Sequence, residues 1–230
     1  MNNLSSPIDL IKKSFQIFFE RKNLIYFLKV YSVSFILALL SFIFAYIVTN
    51  RGYTGDEYVQ EILSGNVLII GLVLIWSIVA FFAGLWAQAS GYEAVKRSVS
   101  GGALKFKDTF KASWKYLWRF FLVNFLVGLI VVGGLILLII PGIMFAVWFS
   151  FSLWRVVDKG RGVGQSLKES KILVKGRFWK VLGRFLVLII FVVLFQILFA
   201  TLPRGYGSIA VTIFGGLFLL PYYLLYRELE

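Results

Sequence analysis

A charge-free and mainly apolar run of 35 residues, from position 120 to position 154, constrains the fold of this chain more than any other feature. As one straight helix the run would be about 52 Å long, whereas the hydrocarbon core of a bilayer is about 30 Å thick. Near its middle lie Pro141 and Gly142, a pair that typically interrupts a helix. We therefore predict a hairpin with its structural turn at these two residues, a third membrane span over 120–140 and a fourth over 143–157. Because the fourth span is short, a hairpin that crosses the bilayer only in part is an alternative.

The rest of the chain is also rich in apolar residues. Of its 230 residues 60% are hydrophobic, and the mean hydropathy is +0.85, whereas about half of the residues of a soluble domain are apolar. Further apolar runs, each near the length that a bilayer requires, cover roughly residues 24–48, 67–89, 185–202 and 209–226. We expect an all-α polytopic membrane bundle of six transmembrane helices in three hairpins, which forms a single integral membrane domain over residues 1–230.

Three basic amphipathic segments precede the odd-numbered spans, and they share the pattern apolar, Lys, any residue, Ser. The pattern occurs at residues 11–14, 110–113 and 167–170, and an apolar residue follows each serine by four positions. It indicates three repeated units, 7–91, 104–157 and 163–227, each with a basic amphipathic interfacial helix before its membrane hairpin. Chance similarity among basic helices is the alternative, and the first segment could instead be a cytosolic extension of the first span.

Lysines on these segments are the candidate lipid contacts. A lysine beside the apolar face of each segment would reach lipid phosphate, and the small serine would allow close packing where the segment bends into its span. We therefore expect anionic membrane lipids as partners. The predicted head-group contacts are Lys12, Lys111 and Lys168 of the shared pattern, together with Lys107, Lys115 and Lys175.

The distribution of basic residues predicts the orientation of the chain. With the amino terminus inside, 22 of the 24 Lys and Arg residues lie on the cytoplasmic side, and Arg51 and Arg204 lie outside. Such asymmetry is what the positive-inside rule describes. If residues 120–154 crossed the membrane only once, the basic cluster that follows them would lie outside. We expect a multi-pass protein of the plasma membrane of a bacterium or archaeon, with both termini cytoplasmic.

The residue types that carry most catalytic and metal chemistry are absent from the sequence. The chain has no Cys and no His, which removes thiol nucleophiles, imidazole bases and the usual zinc ligands. Gly160, Gly162 and Gly164 lack the spacing of a phosphate-binding loop, so we interpret them as a flexible elbow that leaves the membrane. We expect no catalytic residue, no cofactor and no metal.

Few polar residues lie inside the predicted spans. Gln88, Asn124 and Gln196 are there, and such residues more often form interhelical hydrogen bonds than binding sites. The acids nearest to the spans fall at or beyond the predicted cytoplasmic surface, which counts against proton- or ion-coupled transport. These acids are Glu93, Asp108, Asp158 and Glu169.

Arg155 and Asp158 form a candidate ion pair. They lie at the cytoplasmic end of the fourth span and are one helical turn apart, a spacing that allows their side chains to meet. The alternative is an arginine that snorkels to the surface and an aspartate that is solvated.

Residues around the predicted turn resemble a known family. They are Ile140-Pro141-Gly142, Arg155, Val157-Asp158, Gly164, Ser166-Leu167, Ser170, Gly176 and Phe178-Trp179. In them the chain resembles the membrane domain of the glycerophosphoryl diester phosphodiesterases and the related YciC-like bacterial inner-membrane proteins, with Ser166-Leu167 where the family usually has Ala-Leu. The ending LPYYLLYREL is similar to the family's Pro and Tyr near the last span. The resemblance implies a non-catalytic membrane protein beside lipid metabolism or secretion, because the family's phosphodiesterase activity belongs to a separate soluble barrel.

The function that these patterns favour is that of a non-enzymatic membrane scaffold or accessory subunit, which contacts anionic lipid and has a protein partner in the membrane. The alternative is a permease-like or lipid-handling transporter with a pocket between the helical hairpins, which a cavity lined by Gln88, Asn124 or Gln196 would favour. Despite a pI near 10.0, we expect no nucleic acid, because the Trp and Tyr residues gather near span ends as in an interfacial aromatic belt.

Overall fold

A computed structural model of the chain describes residues 4–49, 67–201 and 211–230, and within these ranges the regular structure is helical, without a strand. The all-α prediction is confirmed for them. The helices are α1 Pro7–Phe19, α2 Arg21–Thr49, α3 Val67–Ser100, α4 Phe106–Leu137, α5 Ile139–Phe149, α6 Ser152–Lys159, α7 Val163–Val174, α8 Phe178–Ala200 and α9 Gly215–Leu229.

Five stretches of helix are long and apolar enough to cross a membrane, which supports the prediction of a membrane protein. The predicted sixth span, 209–226, and the predicted external loops with Arg51 and Arg204 lie partly or wholly outside the described residues. Residues 215–226 of the predicted sixth span belong to α9, whose Leu217, Leu220 and Tyr223 are fully buried in the main hydrophobic core. The five stretches are Arg21–Ile47, Ile70–Ser100, Phe106–Leu137, Ile139–Lys159 and Phe178–Phe199.

The break in the long apolar run lies at Leu138, three residues before the predicted turn. Leu138 has an extended backbone (φ −161°, ψ 146°) and separates α4 from α5. Pro141 falls instead in the first turn of α5, where a proline costs little because the N–H groups of a first turn have no helical partner. The turn predicted at Pro141 and Gly142 is therefore wrong by about one helical turn.

Helix α4 runs antiparallel to the pair α5 and α6. Near the turn, Gly134 and Gly142 lie so close that a Cβ atom on Gly134 would be 2.9 Å from the Gly142 Cα atom. At the other end, the Arg119 Nη1 atom donates a hydrogen bond of 2.5 Å to the Gly160 carbonyl oxygen. The chain thus doubles back along its own length, and glycines allow the close approach of the two helices.

Only two of the three predicted interfacial segments are separate helices. Helix α1 ends before Glu20, and the Asn23 side-chain amide donates to the Ile17 carbonyl oxygen at 2.8 Å. Helix α7 ends at Val174, and two residues beyond it Gly176 has a φ of +80°, which favours glycine. The middle segment is continuous with its span in α4, a correction to the predicted repeat, since neither Gly nor Pro interrupts residues 106–127.

Candidate functional site

The lysines predicted to contact lipid are all exposed. Lys12 lies on α1, Lys111 on the first turns of α4 and Lys168 on α7, each at the same position of the shared pattern. Their ammonium groups are therefore free to reach an anionic ligand outside the protein. The other predicted contacts, Lys107, Lys115 and Lys175, are exposed as well.

The serines of the shared pattern have the opposite environment, because all three are buried. The Ser14 Oγ atom donates to the Leu10 carbonyl oxygen of its own helix at 2.7 Å. The Ser113 Oγ atom lies 2.8 Å from the Ser90 Oγ atom, so a hydroxyl pair links α4 to α3. A residue larger than serine at these contacts would separate the helices, as the sequence pattern indicated.

Ser170, the third serine, stabilises the break between α5 and α6. Its hydroxyl donates to the Trp148 carbonyl oxygen at 2.7 Å and accepts from the Phe151 N–H group at 3.1 Å. One side chain on α7 thus satisfies two backbone groups that the interrupted helix leaves without partners. The neighbouring Lys171 places its Nζ atom 4.4 Å from the centre of the Trp148 ring, which adds a cation–π contact.

Arg155 does not pair with Asp158, so the predicted ion pair is wrong. Its guanidinium reaches two other carboxylates: the Nη1 atom lies 3.0 Å from Glu230 Oε1, and the Nε atom lies 3.5 Å from Glu169 Oε2. It also lies over the ring of Tyr226, 5.4 Å from the centre. The Arg155 side chain is only 11% exposed, because α7 and α9 bring these partners around it.

Asp158 is not solvated either, since its side chain is only 9% exposed. The hydroxyl groups of Tyr223 and Tyr226 donate to its two carboxylate oxygens at 3.3 and 3.4 Å. The Arg227 Nη1 atom lies 3.6 Å from the carboxylate. The alternative with a free aspartate is therefore wrong as well, and the end of α9 supplies every one of these partners.

Two more cations complete this group, which we call the α6–α9 ion network. Lys159 pairs with Glu230 at 2.8 Å, and Arg161 pairs with Glu169 at 3.0 Å. Partial burial raises the pKa of Glu230, but the hydrogen bond from Lys159 and the nearby positive charges outweigh it and hold that pKa below its usual value. Helices α6, α7 and α9 are thereby held together by charges at one end of the bundle.

A second buried acid, Glu93, lies in α3, in the part of the chain predicted to be at or beyond the cytoplasmic surface of the membrane. The carboxylate of Glu93 is buried and accepts a hydrogen bond of 2.8 Å from the Arg97 Nε atom. Its other oxygen accepts from the Tyr116 hydroxyl of α4 at 3.3 Å and lies 3.9 Å from the Lys96 Nζ atom. The packing of α4 against α3 explains this burial, which no local pattern in the sequence indicates.

Within residues 4–49, 67–201 and 211–230, the polar residues expected between helices form no interhelical hydrogen bonds. Gln88 and Gln196 are exposed. The Asn124 side-chain amide donates to the Phe120 carbonyl oxygen of its own helix at 3.3 Å. The prediction of interhelical partners is therefore wrong for Asn124 and is not supported for the two glutamines.

Four of the cavities lined by the described residues are large enough to hold a ligand, and Gln88, Asn124 and Gln196 line none of these four. Two adjoining cavities, of about 730 and 860 Å³, lie between α2 and the start of α4. A third, of about 540 Å³, lies beside Trp148, Lys175 and Trp179. The fourth, also of about 540 Å³, has mainly apolar walls and lies between α3, α5, α8 and α9.

Comparisons with known proteins identify no relative of this chain. Among the described residues, no group of three or more Asp and Glu side chains is placed to hold a metal ion. The family resemblance stays a prediction, and the function must be argued from the geometry. Searches of protein-family models, curated proteins and solved structures found no match to this chain.

Proposed function

We propose that this chain is a non-enzymatic multi-pass protein of the cytoplasmic membrane, which acts as a scaffold or accessory subunit. It binds anionic lipid through the basic residues on its predicted cytoplasmic side, which we call the basic end. One observation carries the proposal: in all three amphipathic segments the pattern lysine is exposed while the pattern serine is buried. A bundle that turns the same lysine outward three times presents a repeated cationic surface. Anionic head groups are the ligand that such a surface meets in a membrane.

Exposed aromatic side chains beside these lysines support a lipid partner. Trp114 and Trp118 lie next to Lys111 and Lys115 on α4, and Trp179 lies close to Lys175. An indole ring in water is unfavourable, whereas at the boundary between head groups and hydrocarbon both its apolar body and its N–H group are satisfied. The arrangement is therefore suited to a bilayer surface.

A lipid-dependence experiment tests this function. We expect phosphatidylglycerol nanodiscs to stabilise the wild-type protein more than phosphatidylcholine nanodiscs do. Replacing Lys12, Lys111 and Lys168 by Gln should reduce that difference by about 1 kcal/mol in total, since cations near an anionic surface contribute about 1 kcal/mol each but stay near the surface in the unfolded state too. Thermal unfolding followed by tryptophan fluorescence gives the measurement.

Replacing the same three lysines by Arg provides the control, because it keeps the charge. The arginine variant should retain the preference of the wild type for the anionic lipid. A glutamine variant with an undiminished preference would contradict the proposed role of these lysines.

The proposed topology follows from the same basic end, and it includes cytoplasmic termini. The apolar side chains at the α4–α5 turn are exposed in the bundle, and the Leu138 N–H group and carbonyl oxygen are both hydrogen-bonded. Such a turn is stable in lipid, where backbone groups must be satisfied internally. From residue 120 to this turn α4 rises about 27 Å, so we place the turn near the far edge of the hydrocarbon core, which is about 30 Å thick.

Single-cysteine labelling tests this topology, since the chain contains no Cys. A membrane-impermeant maleimide should label Lys12→Cys and Lys168→Cys only when it reaches the cytoplasmic side, and Gly55→Cys only from outside. Leu138→Cys should react from neither side, because lipid excludes the charged reagent. If Gly55→Cys and Lys168→Cys reacted from the same side, the proposed orientation would be wrong.

A lipid-handling transporter is the second candidate, and the fourth cavity is what favours it. Tyr92, Val147, Trp154, Phe185 and Tyr222 are among the residues that line this space. An apolar ligand or acyl chain fits such walls better than a polar solute does. The scaffold role ranks first because Gln88, Asn124 and Gln196 do not line this cavity.

A further inference from the structure

Two adjoining cavities lie between α2 and α4, and because they share lining residues we treat them together as the α2–α4 groove. Phe106 and Lys107 line both cavities. On the inner side, the Tyr26 hydroxyl of α2 and the Thr109 hydroxyl of α4 are hydrogen-bonded at 2.5 Å, and both residues are buried. This buried hydrogen bond fixes the inner wall of the groove, where α2 meets α4.

One end of the groove is strongly basic. Four lysines line the cavity of about 730 Å³, and Asp108 is the one acid in its lining. Lys22 pairs with Glu20 at 2.8 Å, whereas within the described ranges the other three lysines have no carboxylate partner. A ligand that enters here meets uncompensated positive charge. The four lysines are Lys22, Lys29, Lys105 and Lys107.

The other end of the groove is apolar. Val33, Trp86, Phe110 and Trp114 line the cavity of about 860 Å³, together with lysines of α4. The Trp86 Nε1 atom donates to the Phe110 carbonyl oxygen at 3.1 Å, so its polar atom is turned away from the ligand space. Along α4 these lining residues cover about 13 Å, which is enough for much of an acyl chain.

We infer that the α2–α4 groove binds one anionic phospholipid, with its phosphate at the lysines and one acyl chain along Trp86 and Trp114. The inference rests on the proposed function, since it needs the basic end to face an anionic leaflet, but it names one site instead of a diffuse attraction. Charge complementarity selects the head group, and the apolar arm distinguishes a lipid from a soluble phosphate. Both walls belong to candidate membrane spans, so a lipid enters sideways from the bilayer.

Native mass spectrometry of the detergent-solubilised protein tests the site. We expect the wild type to retain one dioleoyl phosphatidylglycerol at concentrations at which it retains no dioleoyl phosphatidylcholine. The double variant Lys29→Gln, Lys105→Gln should weaken retention by about 25-fold, on the basis of about fivefold for each cation near an anionic group. Trp114→Ala should weaken it several-fold, whereas added glycerol phosphate should not displace the lipid.

Two matched controls separate the groove from the rest of the basic end. Lys13→Gln, Lys180→Gln removes the same charge at exposed positions outside the groove and outside the shared pattern, and Trp118→Ala removes an indole from the same helix at nearly the same exposure (62%, against 63% for Trp114). Both control variants should retain the lipid like the wild type. Equal losses in test and control variants would overturn the groove but leave the proposed function intact, as would displacement by glycerol phosphate. Equal retention of both lipids by the wild type would overturn the groove and the proposed function together.

Discussion

Gly142→Leu is expected to lower the free energy of unfolding by about 3 kcal/mol, the upper end of the range for overpacked cores. A Cβ atom on Gly142 would lie 2.8 Å from the Leu135 backbone nitrogen, closer than real Cβ contacts. Backbone cannot move aside as a flexible side chain can, so α4 and α5 would have to separate near their turn. The measurement is unfolding of the detergent-solubilised protein, followed by tryptophan fluorescence.

Gly128→Leu is the matched control for this prediction. Gly128 lies on α4, the helix that packs against Gly142 of α5; it is exposed and has no atom within 4 Å of the place that its Cβ atom would take. Leucine there should leave stability within about 0.5 kcal/mol of the wild type, as for a surface substitution. If Gly142→Leu does not fold, Gly142→Ala and Gly128→Ala allow the same comparison. Equal stability of the test and control variants would show that the two helices do not approach closely.

Arg155→Met is expected to lower the free energy of unfolding by about 2–3 kcal/mol. Methionine keeps the apolar stem but removes the contacts to Glu169, Glu230 and the Tyr226 ring. Breaking a fully buried ion pair costs about 3–5 kcal/mol, and here the cost is smaller because both carboxylates retain a second cation. Thermal or denaturant unfolding at neutral pH measures the loss.

Arg161→Met is the matched control, since Arg161 pairs with the same Glu169 but its side chain is 43% exposed. Water screens an exposed pair, so this change should cost less than about 1 kcal/mol. If both arginine variants lost the same stability, burial of Arg155 within the α6–α9 ion network would not be what stabilises that end of the bundle.

The environments of the repeated residues could be predicted from the sequence. Ser14, Ser113 and Ser170 were expected at close contacts and Lys12 and its counterparts at the surface, and the structure places them so. The helical period assigns residues three and four positions apart to one face, and this holds whatever lies opposite. The same local argument could not tell whether a segment would be a separate helix, which is why the middle one was misjudged.

The partners of the charged residues could not be predicted in this way. Arg155 and Asp158 were paired because they are one turn apart, yet their partners on α9 follow about 70 residues later in the chain. Glu93 was expected at or beyond the cytoplasmic surface of the membrane, but its position after an apolar run gave no sign that Tyr116 of α4 would contact it. Spacing along one helix contains no information about which other helix will pack against it.

The sequence by itself determined that the chain is helical, that several of its apolar runs are long enough to cross a membrane and that the longest run is interrupted. Those properties follow from local quantities: the length of an apolar run against the thickness of a bilayer, the helical period and the count of charges. Only the tertiary structure decided that the helix break falls at Leu138, that α9 lies in the core and that lysines of α2 and α4 meet around one groove. The physical reason is that these features depend on close packing between distant segments, where the shape and charge of each side chain are matched by residues far away in the chain.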